Sequence, residues 1–202
     1  GEDVASGPRA LPGEKNIRRG VAGIFFVYKC AGAAAAQMLD LQEVKRVAER
    51  AAENCATMGV ALSACTVPRV GHPSFSIGEE EIGMGIHGEP GIRRGSIQPA
   101  DAVADELLDA LITDLKLTEG DRADVLINGL GATPFEEQLV ISRRVHQKLQ
   151  SQGIAVHRTY VGEYATSLEM AGLSVSLLKL DDELIRYMEA PADTPFFKQM
   201  EG

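Results

Sequence analysis

The sequence is poor in the features that most readily betray a function. Its three cysteines, Cys30, Cys55 and Cys65, are an odd set with no Cys-x-x-Cys spacing, and each lies in an apolar stretch. Buried thiols in a reducing cytoplasm fit that pattern better than a disulfide or a metal site. No His/Cys/carboxylate run has metal-ligand spacing. Ser63 and Ser167 lack the strand–turn–helix setting of a hydrolase nucleophile. Basic residues are few, 20 against 29 acidic, giving a net charge of −9 and a pI near 5.0. That balance argues against nucleic acid or an anionic membrane as partner, while leaving a phosphorylated substrate open. No basic start followed by an apolar core and cleavage site opens the chain. The apolar stretch Val21 to Met38 contains Tyr28, Lys29, two glycines and a glutamine and is rich in alanine, so it reads as a buried helix of a soluble protein. Internal repeats, heptads and low-complexity segments are absent.

What is present fits an ordinary globular protein. The hydrophobic fraction is 45% and the mean hydropathy is −0.05 over 202 residues, enough for one large domain. The first residues, Gly-Glu-Asp-Val-Ala, read as a strand end and the loop after it, so the chain is expected to open mid-domain. Gly7 to Gly13 reads as a loop. A helix is expected from about Ile17 to Gln37 with Asn16 as its cap, and a second from Leu41 to Thr57 capped by Asp40. The second has an apolar stripe, Leu41, Val44, Val47, Ala48, Ala51, Ala52 and Cys55, opposite a charged face. Gly59 to Thr66 reads as a buried strand, and Ser74 to Ile77 as extended chain. A helix is expected over Pro99 to Leu115, a strand over Arg122 to Leu130, and a helix over Phe135 to Gln152 with Thr133 as cap and Gly153 as stop. Strands at Ile154 to Val161 and Leu173 to Leu180 follow, then a short helix capped by Asp181. Strands alternating with long helices predict an α/β fold, a mixed or parallel sheet with helices on both faces.

The richest segment is Gly-Met-Gly-Ile-His-Gly-Glu-Pro-Gly, residues 83 to 91. Ile82, Met84 and Ile86 alternate with Gly83, Gly85 and His87, the period of a strand. Glu-Pro-Gly then turns the chain. A histidine at a strand end with little bulk beside it leaves room for a small ligand; the alternative is a turn histidine without chemistry. Gly129 to Pro134 resembles a phosphate loop but lacks a Walker lysine and a third dinucleotide glycine, so a tight strand–helix turn is expected. Asp181, Asp182 and Glu183 could hold a cation, though helix capping explains them more simply. Glu79, Glu80 and Glu81 read as a solvated hairpin tip. His72 lies in a loop, and His146 and His157 read as surface or packing residues.

Taken in order, Gly59-Val-Ala-Leu-Ser-Ala-Cys-Thr-Val-Pro68, Pro73-Ser-Phe75, Gly83 to Arg94, Asn128-Gly-Leu-Gly-Ala-Thr-Pro134, Thr166-Ser-Leu-Glu-Met-Ala-Gly172 and Leu177-Leu-Lys-Leu-Asp-Asp-Glu183 resemble the dihydroxyacetone (glycerone) kinase family. The likeness is to its substrate-binding K subunit or domain. Arg18-Arg-Gly-Val-Ala22 and Gly32-Ala-Ala-Ala35 fit upstream, so the likeness runs through nearly the whole chain.

The resemblance implies that His87 forms a covalent hemiaminal with the ketone carbon of the substrate, with Gly88 and Glu89 beside it in the binding site. A neutral imidazole nitrogen adds to a carbonyl carbon but finds nothing to attack in glycerol, so the bond discriminates ketone from polyol. It also implies phosphoryl transfer to the primary hydroxyl of dihydroxyacetone, with no cofactor held by this chain. The donor would be bound elsewhere: ATP on a fused domain, or ADP on an L subunit recharged through the phosphoenolpyruvate phosphotransferase system. A homodimer in the cytoplasm is implied as well. The family's first half carries a Ser-Gly-His-Glu-Pro segment and an aspartate base, and neither occurs here. The chain is therefore expected to be the C-terminal domain of a two-domain kinase subunit. Residues 1–58 would form a linker and helices from the domain junction, and residues 59–202 the α/β domain carrying His87. Other readings are a non-catalytic dihydroxyacetone-binding co-activator of a transcription factor, and a kinase for a related ketose such as erythrulose.

Overall fold

The computed structural model describes residues 21–63, 66, 71, 80–82 and 93–200. Six strands form one sheet: β1 Cys55–Ala61, β2 Glu80–Ile82, β3 Arg93–Gly95, β4 Arg122–Gly129, β5 Ala155–Gly162 and β6 Gly172–Leu180, in the order β3-β2-β1-β6-β4-β5. β4 and β5 run parallel; every other neighbouring pair is antiparallel. The helices are α1 Ile24–Ala36, α2 Leu41–Glu53, α3 Ala100–Leu115, α4 Phe135–Ser151 and α5 Asp182–Glu189; a two-stranded ribbon, β7 Ala192–Asp193 with β8 Lys198–Gln199, follows. The mixed sheet flanked by helices that the sequence predicts is what the molecule has. Among the described residues no helix is long and apolar enough to cross a membrane.

Strand alternation decides which helix covers which face. On β4, Ala123, Val125 and Ile127 join Leu107, Leu108 and Leu111 of α3 and Ile141, Val145 and Leu149 of α4 in one core. Leu126 points the other way, into a second core with Phe26 and Cys30 of α1, Val47 and Ala51 of α2, and Leu184 and Met188 of α5. β1 and β6 divide in the same way, Met58, Val175 and Leu177 to the first core and Cys55 and Leu178 to the second. Each fully buried leucine stabilises the fold by about 1.5–3 kcal/mol before cavity terms.

Several boundaries differ from the expectation. Within the described residues the first helix starts at Ile24, after a turn at Val21–Gly23, with Gly23 as N-cap and no side-chain cap; Asn16 lies outside the described residues. Thr57 fixes that start, because its hydroxyl accepts from the Gly23 N–H at 3.1 Å and pairs with Ser176 Oγ at 2.7 Å. α2 is capped by Asp40 as expected, whose carboxylate accepts from Glu43 N at 2.9 Å, but it stops at Glu53 and β1 begins at Cys55. All seven residues of β1 are buried, so neither the alternation of a half-buried strand nor a polar face marks its beginning. Glu80 and Glu81 do not form a hairpin tip. They lie in β2 between β1 and β3, where Ala61 pairs with Glu81 and Glu80 with Gly95.

Candidate functional site

β1 ends at Ala61 against Gly172, the first residue of β6. The chain leaving β1 is tied at once to the segment before β6: Leu62 N and Ser63 N donate to Ala171 O at 2.7 and 3.2 Å, and Ala171 N donates to Ser63 Oγ at 2.9 Å. Thr66 N donates to the Glu169 carboxylate. Ser63 is thus a backbone clamp, in keeping with its lack of a nucleophile setting. On the far side of β1 the β2–β3 ribbon extends the sheet. The sequence between these two strands is residues 83–92, and it carries His87, Gly88 and Glu89; all three lie outside the described residues, as do His72 and Cys65.

The turn after β4 is built for close approach. Gly131 has φ +110°, and a Cβ there would stand 2.3 Å from Leu168 O. Gly172 has φ +146°, and its Cβ would stand 2.2 Å from Val60 O. Only glycine fits either position. Thr133 does not cap α4. Its buried hydroxyl donates to Gly172 O at 2.6 Å and accepts from Gly172 N at 2.8 Å, leaving Pro134 as N-cap without a side-chain bond. The segment is a tight strand–helix turn, as expected, pinned to the start of β6.

Asn128, at the end of β4 and fully buried, holds the opposing loop. Its Oδ1 accepts from Tyr164 N and Ala165 N, both at 2.8 Å, and its Nδ2 donates to Ala165 O at 2.8 Å and Gly129 O at 3.1 Å. Beside it, Gln138 Nε2 donates to Glu163 Oε1 at 3.1 Å and to Thr133 O at 3.1 Å, and Thr166 Oγ1 donates to Glu163 Oε2 at 2.6 Å. The outcome is a fixed polar rim where β1, β4 and β5 end, the edge of an open α/β sheet at which ligands commonly bind.

The remaining candidates resolve differently. Asp181 caps α5, accepting from Leu184 N at 2.8 Å. Arg50 reaches Asp181 and Glu183, Arg46 reaches Glu183, and Arg122 reaches Asp182 at 2.6 Å. Arginines already neutralise that acidic run, and among the described residues no group of three His, Cys, Asp or Glu could hold a metal ion. Cys30 and Cys55 are buried free thiols, and burial pushes Cys30 up to about 12. His146 is a packing residue, bridging Ser142 O at 2.8 Å and Thr159 Oγ1 at 2.9 Å. His157 is more than that: Nδ1 meets Asp124 Oδ1 at 2.8 Å and Nε2 meets Glu189 Oε1 at 3.1 Å. Asp124 is fully buried, its Oδ2 has no partner among the described residues, and burial raises its carboxyl above the usual range despite the nearby His157. The lone aspartate in the apolar run Ala123-Asp-Val-Leu-Ile127 was the signal for this pair.

The chain matches the family described as Dak1 domain over residues 1–196. It is 51% identical over 183 residues to the PTS-dependent dihydroxyacetone kinase 2, dihydroxyacetone-binding subunit DhaK, of Listeria innocua, covering 90% of this chain and 55% of that protein. It is 44% identical over 200 residues to the D-erythrulose kinase of Mycolicibacterium smegmatis, covering 98% of this chain and 34% of that protein. The solved dihydroxyacetone kinase operon co-activator Dha-DhaQ superposes with a TM-score of 0.80 at 30% identity, over 86% of this chain and 55% of that one. The chain therefore spans about half the length of the binding subunit it matches at 51% identity.

Proposed function

This chain belongs to the Dak1 domain family, and from that premise we propose that it supplies the ketose-anchoring half of a dihydroxyacetone kinase substrate-binding subunit. The observation that carries the reading is the Gly-Ile-His-Gly-Glu-Pro-Gly run around His87 in a chain 51% identical to a dihydroxyacetone-binding subunit. An unprotonated ring nitrogen of His87 adds to the ketone carbon. The carbon–oxygen π bond breaks, and the oxygen gains a proton as the other ring nitrogen gives one up, leaving a neutral hemiaminal. Gly88 leaves the approach open, and Glu89 or a backbone carbonyl accepts from the second ring nitrogen and so sets the tautomer. The anchored ketose then presents its primary hydroxyl for phosphorylation.

The other parts of the reaction come from elsewhere. The base and the rest of the substrate shell belong to an N-terminal half. The phosphoryl donor, ATP or an ADP-bearing partner, sits on a nucleotide-binding L subunit or domain, and this chain itself holds no cofactor. The full subunit works as a homodimer in the cytoplasm. Orientation and acid–base groups each contribute orders of magnitude in rate, so the 202-residue chain alone with a competent donor is expected to show little or no kinase activity; robust turnover by it would refute this division of labour.

A second reading is favoured by the structural likeness to the Dha-DhaQ co-activator, namely ketose binding without turnover. A third, favoured by the D-erythrulose kinase, keeps the kinase and changes the ketose. Assaying the complete subunit with its donor protein against dihydroxyacetone and erythrulose separates the three. Phosphorylated dihydroxyacetone supports the first reading, adduct without product the second, and faster erythrulose turnover the third.

A further inference from the structure

His157 is the extra residue of a β-bulge. Ala123 pairs with Val156 and Asp124 with Arg158, so His157 has no partner across the β4–β5 ladder, and a bulge of this kind re-aims a side chain. Its ring stands between two carboxylates. Nδ1 lies 2.8 Å from Asp124 Oδ1, and Nε2 lies 3.1 Å from Glu189 Oε1. The Asp124 side chain has no exposure, whereas that of Glu189 is 54% exposed. We propose that Asp124, His157 and Glu189 form a proton-gated latch, closed while the three groups together hold two protons and open at Glu189 when they hold one.

The proton count follows from the distances. Neither a carboxylate nor a bare ring nitrogen can donate, so each of the two N···O contacts needs its own proton. Two protons satisfy both contacts, either as an imidazolium between two carboxylates or as a neutral ring between a protonated Asp124 and Glu189. The protons belong to the cluster rather than to one residue. The cations that face Asp124 are Lys29 of α1 and Arg158 of β5, and both favour its ionised form. Burial outweighs them and raises the carboxyl, whose Oδ2 has no partner among the described residues. Cys30 of α1 and Tyr160 of β5 face it too, and burial pushes both up, so neither competes for the proton. When one proton remains, burial decides where it stays. A buried carboxylate without a partner costs far more than one in water, so the proton keeps His157 on Asp124. The Nε2 lone pair then faces the carboxylate of Glu189, which turns out to solvent. Its place at the end of α5 favours release, because a negative charge there opposes the helix dipole.

The latch acts on the end of α5. Lys29 donates to Tyr187 O and Ala190 O, and Gln199 donates to Met188 O and Ala190 O. Those bonds hold the helix end from α1 and β8, and His157 holds it from β5. Pro191 to Thr194 follow directly and form part of the wall of a cleft of about 760 Å³, whose other side is α1 from Ile24 to Ala33. Opening at Glu189 therefore loosens that wall as pH rises, and proton uptake firms it.

The device is independent of which ketose the protein takes, and its test reads no activity. Amide hydrogen exchange is followed on the complete subunit that carries this chain from about pH 5 to 9, each rate divided by the intrinsic rate of that amide at that pH. Protection over residues 187–193, relative to β6, should fall about three- to tenfold as pH rises, the weight of one exposed hydrogen bond to a charged group. Glu189→Gln should keep the latch closed throughout and flatten the profile, because an amide both donates and accepts. Glu189→Ala should flatten it at the open level. A wild-type profile that is already flat, a Glu189→Gln profile that still falls as the wild type does, or a fall spread evenly over the chain would overturn the latch.

Discussion

The two faces of the sheet are built on different principles. Toward α3 and α4, β4 presents Ala123, Val125 and Ile127, all apolar, into a core of aliphatic side chains and Met58, beside which α4 also buries Gln138 and Ser142. Toward α1, α2 and α5 the same strand presents Asp124, Leu126 and Asn128, two of them polar and all fully buried. Around them lie Lys29, with its ammonium on the carbonyls that end α5, and Gln199, which donates to Met188 O and Ala190 O and accepts from the Tyr160 hydroxyl. Directionless apolar contact can stabilise a sheet but cannot fix where a loop or a helix end sits. Directed hydrogen bonds can, at a desolvation cost that Ala123, Val125 and Ile127 do not carry. The apolar side of β4 therefore supplies stability, and its polar side fixes residues 164–165 and, through Lys29 and Gln199 around it, the end of α5.

The largest expected effect lies on the apolar side. Leu107→Ala, at a position with no exposure, should cost about 2–5 kcal/mol in denaturant unfolding, from lost transfer energy plus a cavity. It should leave the exchange pattern of residues 163–171 unchanged relative to the rest of the chain. Asn128→Ala should cost about 2–4 kcal/mol, because the N–H groups of Tyr164 and Ala165 lose their buried acceptor. Unlike Leu107→Ala, it should specifically release those two amides to exchange. Equal release by both variants would erase the distinction between the faces.

A smaller effect separates buried from exposed carboxylates. Burial raises Asp124. Its contribution to stability is fully present below the unfolded value of about 3.9 and is lost as pH rises through the folded value. Hydrogen bonding to Arg144 lowers Asp105, whose contribution is present above the unfolded value and is lost as pH falls through the folded one. Melting temperatures followed from about pH 4 to 7 should show Asp124→Asn gaining on the wild type and Asp105→Asn losing to it. Shifts of the same sign in both would contradict the assigned causes. Smallest of all, Arg46→Ala removes ion pairs to Glu43 and Glu183 on an exposed side chain, and should change stability by no more than about 1 kcal/mol.

The same contrast governs what could be read in advance. Signals confined to a few adjacent residues were legible. Asp40 and Asp181 do cap helices, the strand–helix rhythm does give a mixed sheet, and Gly129 to Pro134 is the plain turn expected. Where burial covers both faces, as along β1, no period marks the strand, and its first residues read as the end of the preceding helix. Thr133 reads as a cap by position, but its hydroxyl bonds Gly172, 39 residues away. Asp124 and His157 are 33 residues apart and meet because β4 and β5 run parallel, a pairing that no local pattern encodes. The His87 run was the clearest signal in the chain, because its glycines, its histidine and its turn all lie within nine residues.

The proposed bond from His87 to a ketone carbon can be observed directly. The most direct test follows dihydroxyacetone, isotope-labelled at that carbon, by NMR on the complete subunit that carries this chain, alongside a crystal soak. The label is expected to move from a carbonyl to a tetrahedral carbon, with continuous density to the ring of His87, and both signs to vanish in His87→Ala. A tetrahedral carbon that persists in His87→Ala, or density joining the ketose to another residue, would contradict it.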